Sequence, residues 1–140
     1  TLLTGTSLKC ARRDITFTCV ADGTLLNQIY VMDLCTIFGN ALDNAMEHAV
    51  QIADLEKRLI HVTVSKMEEF ILIRIENYLQ DDLQFEGELP STTKKNKAYH
   101  GFGLKSIKYS VEKYHGTMEV KTEDHWFIIN ILIPLQTDNE

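Results

Sequence analysis

Apolar and polar positions repeat along this chain with two different periods, and each change of period marks a new element. Ile15-Thr16-Phe17-Thr18-Cys19-Val20 alternates every second residue, as a half-buried strand does, after a segment up to Arg13 that reads as the tail of a helix. Asp22-Gly23 marks the turn out of it. From about Ile29 to Ile52 the apolar residues recur at three and four positions, which predicts a long amphipathic helix with Asp33 near its start. Ile60, Val62 and Val64 then alternate with His61, Thr63 and Ser65, and a second alternating run, Phe70 to Asn77, follows Lys66-Met67-Glu68-Glu69, so the two form a hairpin.

Periodicity fades between Gln80 and His100, which contains Gly87 and Pro90 and divides into an acidic half (Asp81, Asp82, Glu86, Glu88) and a basic half (Lys94, Lys95, Lys97). A loop of this length inside a domain is expected to have a job or to be disordered. A helix from about Leu104 to Tyr114 ends at His115-Gly116, where glycine suits a left-handed cap. Thr117 to Thr122 and Trp126 to Ile133 make a closing hairpin turned at Glu123-Asp124. Hairpins mixed with long helices predict a two-layer α/β sandwich, a mostly antiparallel mixed sheet with helices on one face.

Composition narrows the possibilities. At 140 residues and 44% hydrophobic, the chain is sized for a single domain, residues 1–140, with one core. No run approaches the roughly 18 apolar residues of a membrane span, and no basic-then-apolar leader precedes a small-residue cleavage site. A chain opening Thr1-Leu2-Leu3, without an initiator methionine, is expected to be a piece of something longer. The net charge of -6, with no face that collects Lys and Arg, argues against nucleic acid as a partner. Cys10, Cys19 and Cys35 are odd in number and form no C-x-x-C, which disfavours zinc and disulfides; they are expected to be small core hydrophobes in a reducing compartment.

The chemistry concentrates on the long helix. At about 100° per residue, Asp33, Thr36, Asn40, Asn44, Glu47, His48 and Gln51 share one arc, while Leu34, Phe38, Ala41, Leu42, Ala45, Ala49 and Ile52 fall opposite. Asn is a mediocre helix former, so two of them one turn apart need a reason. Each offers a neutral carbonyl oxygen to a hard cation already held by phosphates, without adding negative charge beside a triphosphate. A plain solvated face is the other reading of this spacing. His100-Gly101-Phe102-Gly103-Leu104 is expected where the loop becomes a helix, so that bare backbone N–H groups and the helix dipole face an anion, with Lys105 as an added point charge or an ordinary solvated lysine. The segment lacks both the dinucleotide fingerprint and the Lys-Ser/Thr ending of a P-loop.

Phe38-Gly39-Asn40-Ala41-Leu42-Asp43-Asn44-Ala45 resembles the N box, and Gly101-Phe102-Gly103-Leu104 the second glycine box, of the GHKL superfamily of gyrase, heat-shock chaperone ATPases, histidine kinases and MutL. Tyr114-His115-Gly116 before a final hairpin resembles the accessory-gene-regulator type of quorum-sensing kinase. The resemblance covers nearly the whole chain and implies a Bergerat-type ATP-binding fold that takes ATP and Mg²⁺, with a lid loop at about 80–103. It implies that Asn44 ligates the metal with Asn40 in support, that Gly101, Gly103 and the neighbouring Leu104 and Lys105 meet phosphates, and that Glu47 and His48 lie near the nucleotide. The family's first glycine box usually carries Asp followed by glycines. Here Ile75-Glu76-Asn77-Tyr78-Leu79 supplies Asn77, whose carbonyl can still accept from the adenine amino group and whose amide can donate to the ring; a strand-ending turn residue is the other reading.

The gyrase-like hydrolases place a Glu one turn before the N-box Asn as general base for water. Here that position is Asn40, which cannot take the proton. Histidine kinases need no such base, because an imidazole from a separate helical segment attacks. The implied function is therefore the catalytic domain of a two-component sensor histidine kinase with no catalytic acceptor of its own. The parent is expected to be a membrane-bound homodimer, with this domain cytoplasmic, phosphoacceptor and dimerisation helices elsewhere, and a response regulator downstream. The alternatives are an anti-sigma-type serine/threonine kinase and a non-catalytic interaction domain that has lost nucleotide.

Overall fold

The computed structural model describes residues 2–80, 85–86, 89–90 and 97–136. Helix α1 (Leu2–Arg12) leads into strand β1 (Thr16–Ala21), and a 3-10 turn (Gly23–Gln28) capped by Asp22 leads into helix α2 (Val31–Ala49). Strands β2 (Leu59–Met67) and β3 (Phe70–Tyr78) follow, then the two-residue strands β4 (Phe85–Glu86) and β5 (Leu89–Pro90), helix α3 (Lys97–Glu112), and strands β6 (Thr117–Glu123) and β7 (Trp126–Pro134). The five-stranded sheet runs β1-β2-β3-β7-β6, with β1 parallel to β2 and every other pair antiparallel.

Alternation decides what lies between the layers. Ile60, Val62 and Val64 of β2, Ile71, Ile73 and Ile75 of β3, and Phe127, Ile129, Ile131 and Ile133 of β7 are buried beneath Phe38, Ala41, Leu42, Ala45 and Ala49 of α2 and Leu104, Ile107 and Val111 of α3. The small Ala residues let α2 sit close to the sheet, and non-directional burial of this aliphatic surface supplies the main stabilisation. The expected sandwich is thus the observed one.

Several details differ from the sequence reading. The last helix begins at Lys97 rather than near Leu104, so Gly101 and Gly103 lie inside it. A helical glycine costs only about 1 kcal/mol, less than the anchoring of the downstream turns supplies. The final hairpin turns at Asp124-His125, both at positive φ (51° and 69°), the two-residue turn whose twist matches antiparallel strands. Cys10 is buried, and burial pushes its thiol up with Arg13 pulling weakly the other way, but Cys19 and Cys35 are exposed. The expected lid, at about 80–103, lies partly outside the described residues, which lack 81–84, 87–88 and 91–96.

Candidate functional site

Helix α2 divides its polar stripe among several neighbours. Asp33, in its first turn, faces the turn that follows α3: its Oδ2 accepts from the Tyr114 hydroxyl at 2.5 Å and its Oδ1 from Lys113 Nζ at 3.0 Å, while the same hydroxyl accepts the Tyr30 N–H at 3.0 Å. The Tyr114 hydroxyl, and then Lys113, hold the Asp33 carboxyl below the usual carboxylate range. This strap fixes the crossing of the two helices and hence the opposition of Asn40 and Gly103 further along. Asp33 therefore contributes stability that is present above its unfolded value of about 3.9 and lost as pH falls through its lower folded value. Tyr114→Phe should lower stability by about 1–2 kcal/mol, and thermal melts at descending pH should show a flatter acid limb for Asp33→Asn than for the parent chain.

Two turns on, Asn40 Nδ2 donates to the Thr36 carbonyl at 2.8 Å, which fixes the amide. Its Oδ1 lies 3.5 Å from where a side chain on Gly103 would begin. The N-box helix and the glycine helix therefore meet, and they meet at the residues singled out from sequence. Lys105 is exposed and lines a groove of ≈ 610 Å³ with Thr36, Ser106 and Tyr109. Gly101 is a helical residue in the turn before. Leu104 is instead a core residue, 2% exposed, and acts as the anchor that seats this turn.

Asn44 is buried, 7% exposed, and its Oδ1 has no hydrogen-bond partner among the described residues. A solvated helix face does not look like this. A buried orphan carbonyl costs about 1–3 kcal/mol, and such exceptions need a cause. A hard cation is one, since a neutral amide oxygen is a suitable ligand. Among the described residues no group of three or more His, Cys, Asp or Glu side chains is arranged to hold a metal.

At the next turn His48 meets the end of β3. Asn77 is in phase with Ile71, Ile73 and Ile75, so the alternation that buries those residues also carries it under α2, 1% exposed. Its Nδ2 lies 3.4 Å from His48 Nδ1 and 3.2 Å from the Tyr78 carbonyl. With the imidazole proton on Nε2, Asn77 donates to Nδ1. Phe127 packs against the His48 ring, the two ring centres 5.3 Å apart and the planes 75° to each other. Phe127 went unnoticed in the sequence because it looks like any other core position of an alternating strand.

Thr36, Asn40, Asn44 and His48 thus form a row spanning roughly 18 Å along α2. That row has an imidazole–amide pair at one end, an orphan carbonyl in the middle and a glycine helix at the other end. Glu47 leaves the row: it lines a separate cleft of ≈ 310 Å³ between α1 and α2, with Lys9, Arg13 and Asp43. The roughly 100° of rotation that separates it from His48 is enough to face it toward α1.

A sequence profile described as GHKL domain matches residues 29–134, well over half of the chain. No curated protein matches. Among solved structures, the nucleotide-free catalytic domain of the histidine kinase ThkA is similar, with a TM-score of 0.69 at 16% identity over 94% of this chain and 87% of that one. So are the Acinetobacter baumannii histidine kinase AdeS (TM-score 0.66, 12% identity, 96% of this chain and 61% of that one) and the histidine kinase domain of the Erythrobacter litoralis EL346 blue-light activated histidine kinase (0.59, 19%, 93% and 57%). The chain spans less than two thirds of the last two. At these identities the likeness establishes the fold. No helix among the described residues is long and apolar enough to cross a membrane.

Proposed function

The chain belongs to the GHKL domain family, and on that premise we propose that it binds Mg-ATP along the α2 row and presents the γ-phosphate to a histidine on a separate phosphoacceptor segment. The observation that carries this reading is the orphaned Oδ1 of Asn44. Buried without a partner among the described residues and one turn from Asn40, it is a neutral oxygen prepared for a phosphate-bound Mg²⁺. The metal, when bound, spreads the negative charge of the phosphates. Every other task falls to the chain. Asn77 Oδ1 accepts from the adenine amino group, His48 fixes the Asn77 amide, and Phe127 holds the His48 ring. Asn40 and Gly103 lie together at the phosphate end, and Lys105, on the neighbouring groove, adds positive charge there.

Asn40 also sets the reaction class. Its amide is tied to the Thr36 carbonyl and has no lone pair basic enough to take a proton from water, so hydrolysis is slow and transfer waits for a delivered imidazole. This is the division of labour of a sensor histidine kinase. The parent is then a membrane-attached homodimer of the two-component type that passes phosphate to a response regulator, and Tyr114-His115-Gly116 favours the quorum-sensing branch.

The test is calorimetry with a non-hydrolysable ATP analogue with and without Mg²⁺, followed by γ-labelled ATP. Magnesium-dependent binding is expected, with no rapid labelling of the isolated chain and acid-labile labelling when acceptor helices are supplied. A flat titration would leave an interaction domain, and an acid-stable product a serine/threonine kinase. A narrower expectation concerns the base. Asn77→Ala should weaken ATP by about tenfold, the worth of one hydrogen bond to a buried group, while leaving GTP unchanged in competition titrations.

A further inference from the structure

The two edges of the sheet are built differently. β6 carries Glu119, Lys121 and Glu123, the alternating charges that keep an edge strand from pairing. β1, at the other end of the sheet, reads Thr-Phe-Thr-Cys-Val-Ala, with no charge and no proline. Cys19 and Ala21 are exposed although they lie in register with the buried Val62 and Val64, and Val20 on the opposite face is 68% exposed. Among the described residues the strand is therefore open along its edge, with apolar Phe17, Cys19 and Ala21 on one face and Val20 beside two uncharged threonines on the other.

Its hydrogen-bonding groups follow a definite order. The Thr16 N–H donates to the Arg58 carbonyl and the Asp22 N–H to the Val64 carbonyl. Alternation in a parallel pair then turns Thr18 and Val20 toward β2 as well, and turns the N–H and C=O of Phe17, Cys19 and Ala21 outward. We propose that this edge pairs antiparallel with β1 of a second copy of the chain about a two-fold axis at Cys19. In that register Cys19 faces the second copy's Cys19 and Phe17 faces its Ala21. All three outward residues then form pairs that exchange two bonds each, and each side chain meets one from the same face. Centring on Thr18 instead would set Asp14 opposite the second copy's Asp22 and leave fewer pairs. A copy of itself suits this edge because a two-fold pairing is self-complementary in length, face and lack of charge. The α2–α3 site lies across the sheet from this edge, so pairing leaves it open.

Sedimentation equilibrium of the whole chain is expected to show a reversible dimer. Cys19→Lys and Cys19→Glu, both at an exposed position and checked for folding by circular dichroism, should each weaken it about fivefold, because like charges then face each other across the axis. Their equimolar mixture should recover the dimer. Amides of Phe17, Cys19 and Ala21 should become protected from exchange as concentration rises, while those of Thr18 and Val20 are protected throughout. A monomer at every concentration overturns the proposal, as does a dimer indifferent to both substitutions. Protection of the three amides that ignores concentration also overturns it, since a segment of the same chain would then cover the edge.

Discussion

Asn44→Ala is expected to cut magnesium-dependent nucleotide affinity by about a hundredfold while leaving the fold as stable as before. The two halves of this result come from one atom. As the proposed metal ligand, the Asn44 Oδ1 contributes only when the ion is present, and its loss leaves a phosphate-bound cation short of a ligand in a buried place. Among the described residues of the ligand-free chain the same oxygen has no partner, so removing it relieves a cost of about 1–3 kcal/mol and offsets the packing lost with the side chain. Calorimetry with an ATP analogue, in magnesium and in a chelator, reads the first half; a thermal melt without nucleotide reads the second. Equal affinity for both proteins would end the assignment. A melt lowered by 10 °C or so would show that Asn44 is a structural core residue with no ligand to bind.

Gly116→Ala should be the most damaging small change in the chain. A methyl there would lie 2.7 Å from the Leu132 carbonyl, 2.8 Å from Val111 Cγ1 and 3.0 Å from Ile133 Cγ1. One of these is backbone of the inner strand β7 and the other two belong to the core, so none can yield without disturbing the seating of α3 on β7. Overpacking of this kind costs about 2–3 kcal/mol, enough to lower the melting temperature by roughly 10 °C. Gly39→Ala is the matched control. Among the described residues nothing lies within 4 Å of the added methyl, and alanine in a helix interior gains about 0.5–1 kcal/mol over glycine. If both substitutions move the melt in the same direction, the steric account of Gly116 fails.

Gly116 also shows how a sequence reading reaches the right residue for the wrong reason. The residue in the left-handed conformation is His115, at φ 61°, and Gly116 is needed because another strand passes too close for a side chain. The first is a local preference, the second a contact between residues far apart in sequence. Asn77 carries the same lesson in reverse. Its place in the alternation of β3 puts it on the buried face, so its inward aim could be read from the chain. That His48 would be the side chain above it depended on how α2 crosses the sheet.

What the sequence determined by itself is what local periodicity and residue chemistry can encode. These are the sandwich of long helices over alternating strands, the row of amides on α2, and the absence of a general base at Asn40. Tertiary structure alone decided which members of that row share a site. It turned Glu47 toward α1, sank Leu104 into the core and continued α3 back through its glycines. It also set Asn40 against Gly103 and left the Asn44 oxygen without a partner among the described residues. The reason is that a helical wheel fixes directions only relative to its own axis, whereas burial, pairing and orphaning depend on the neighbours that packing brings to each direction.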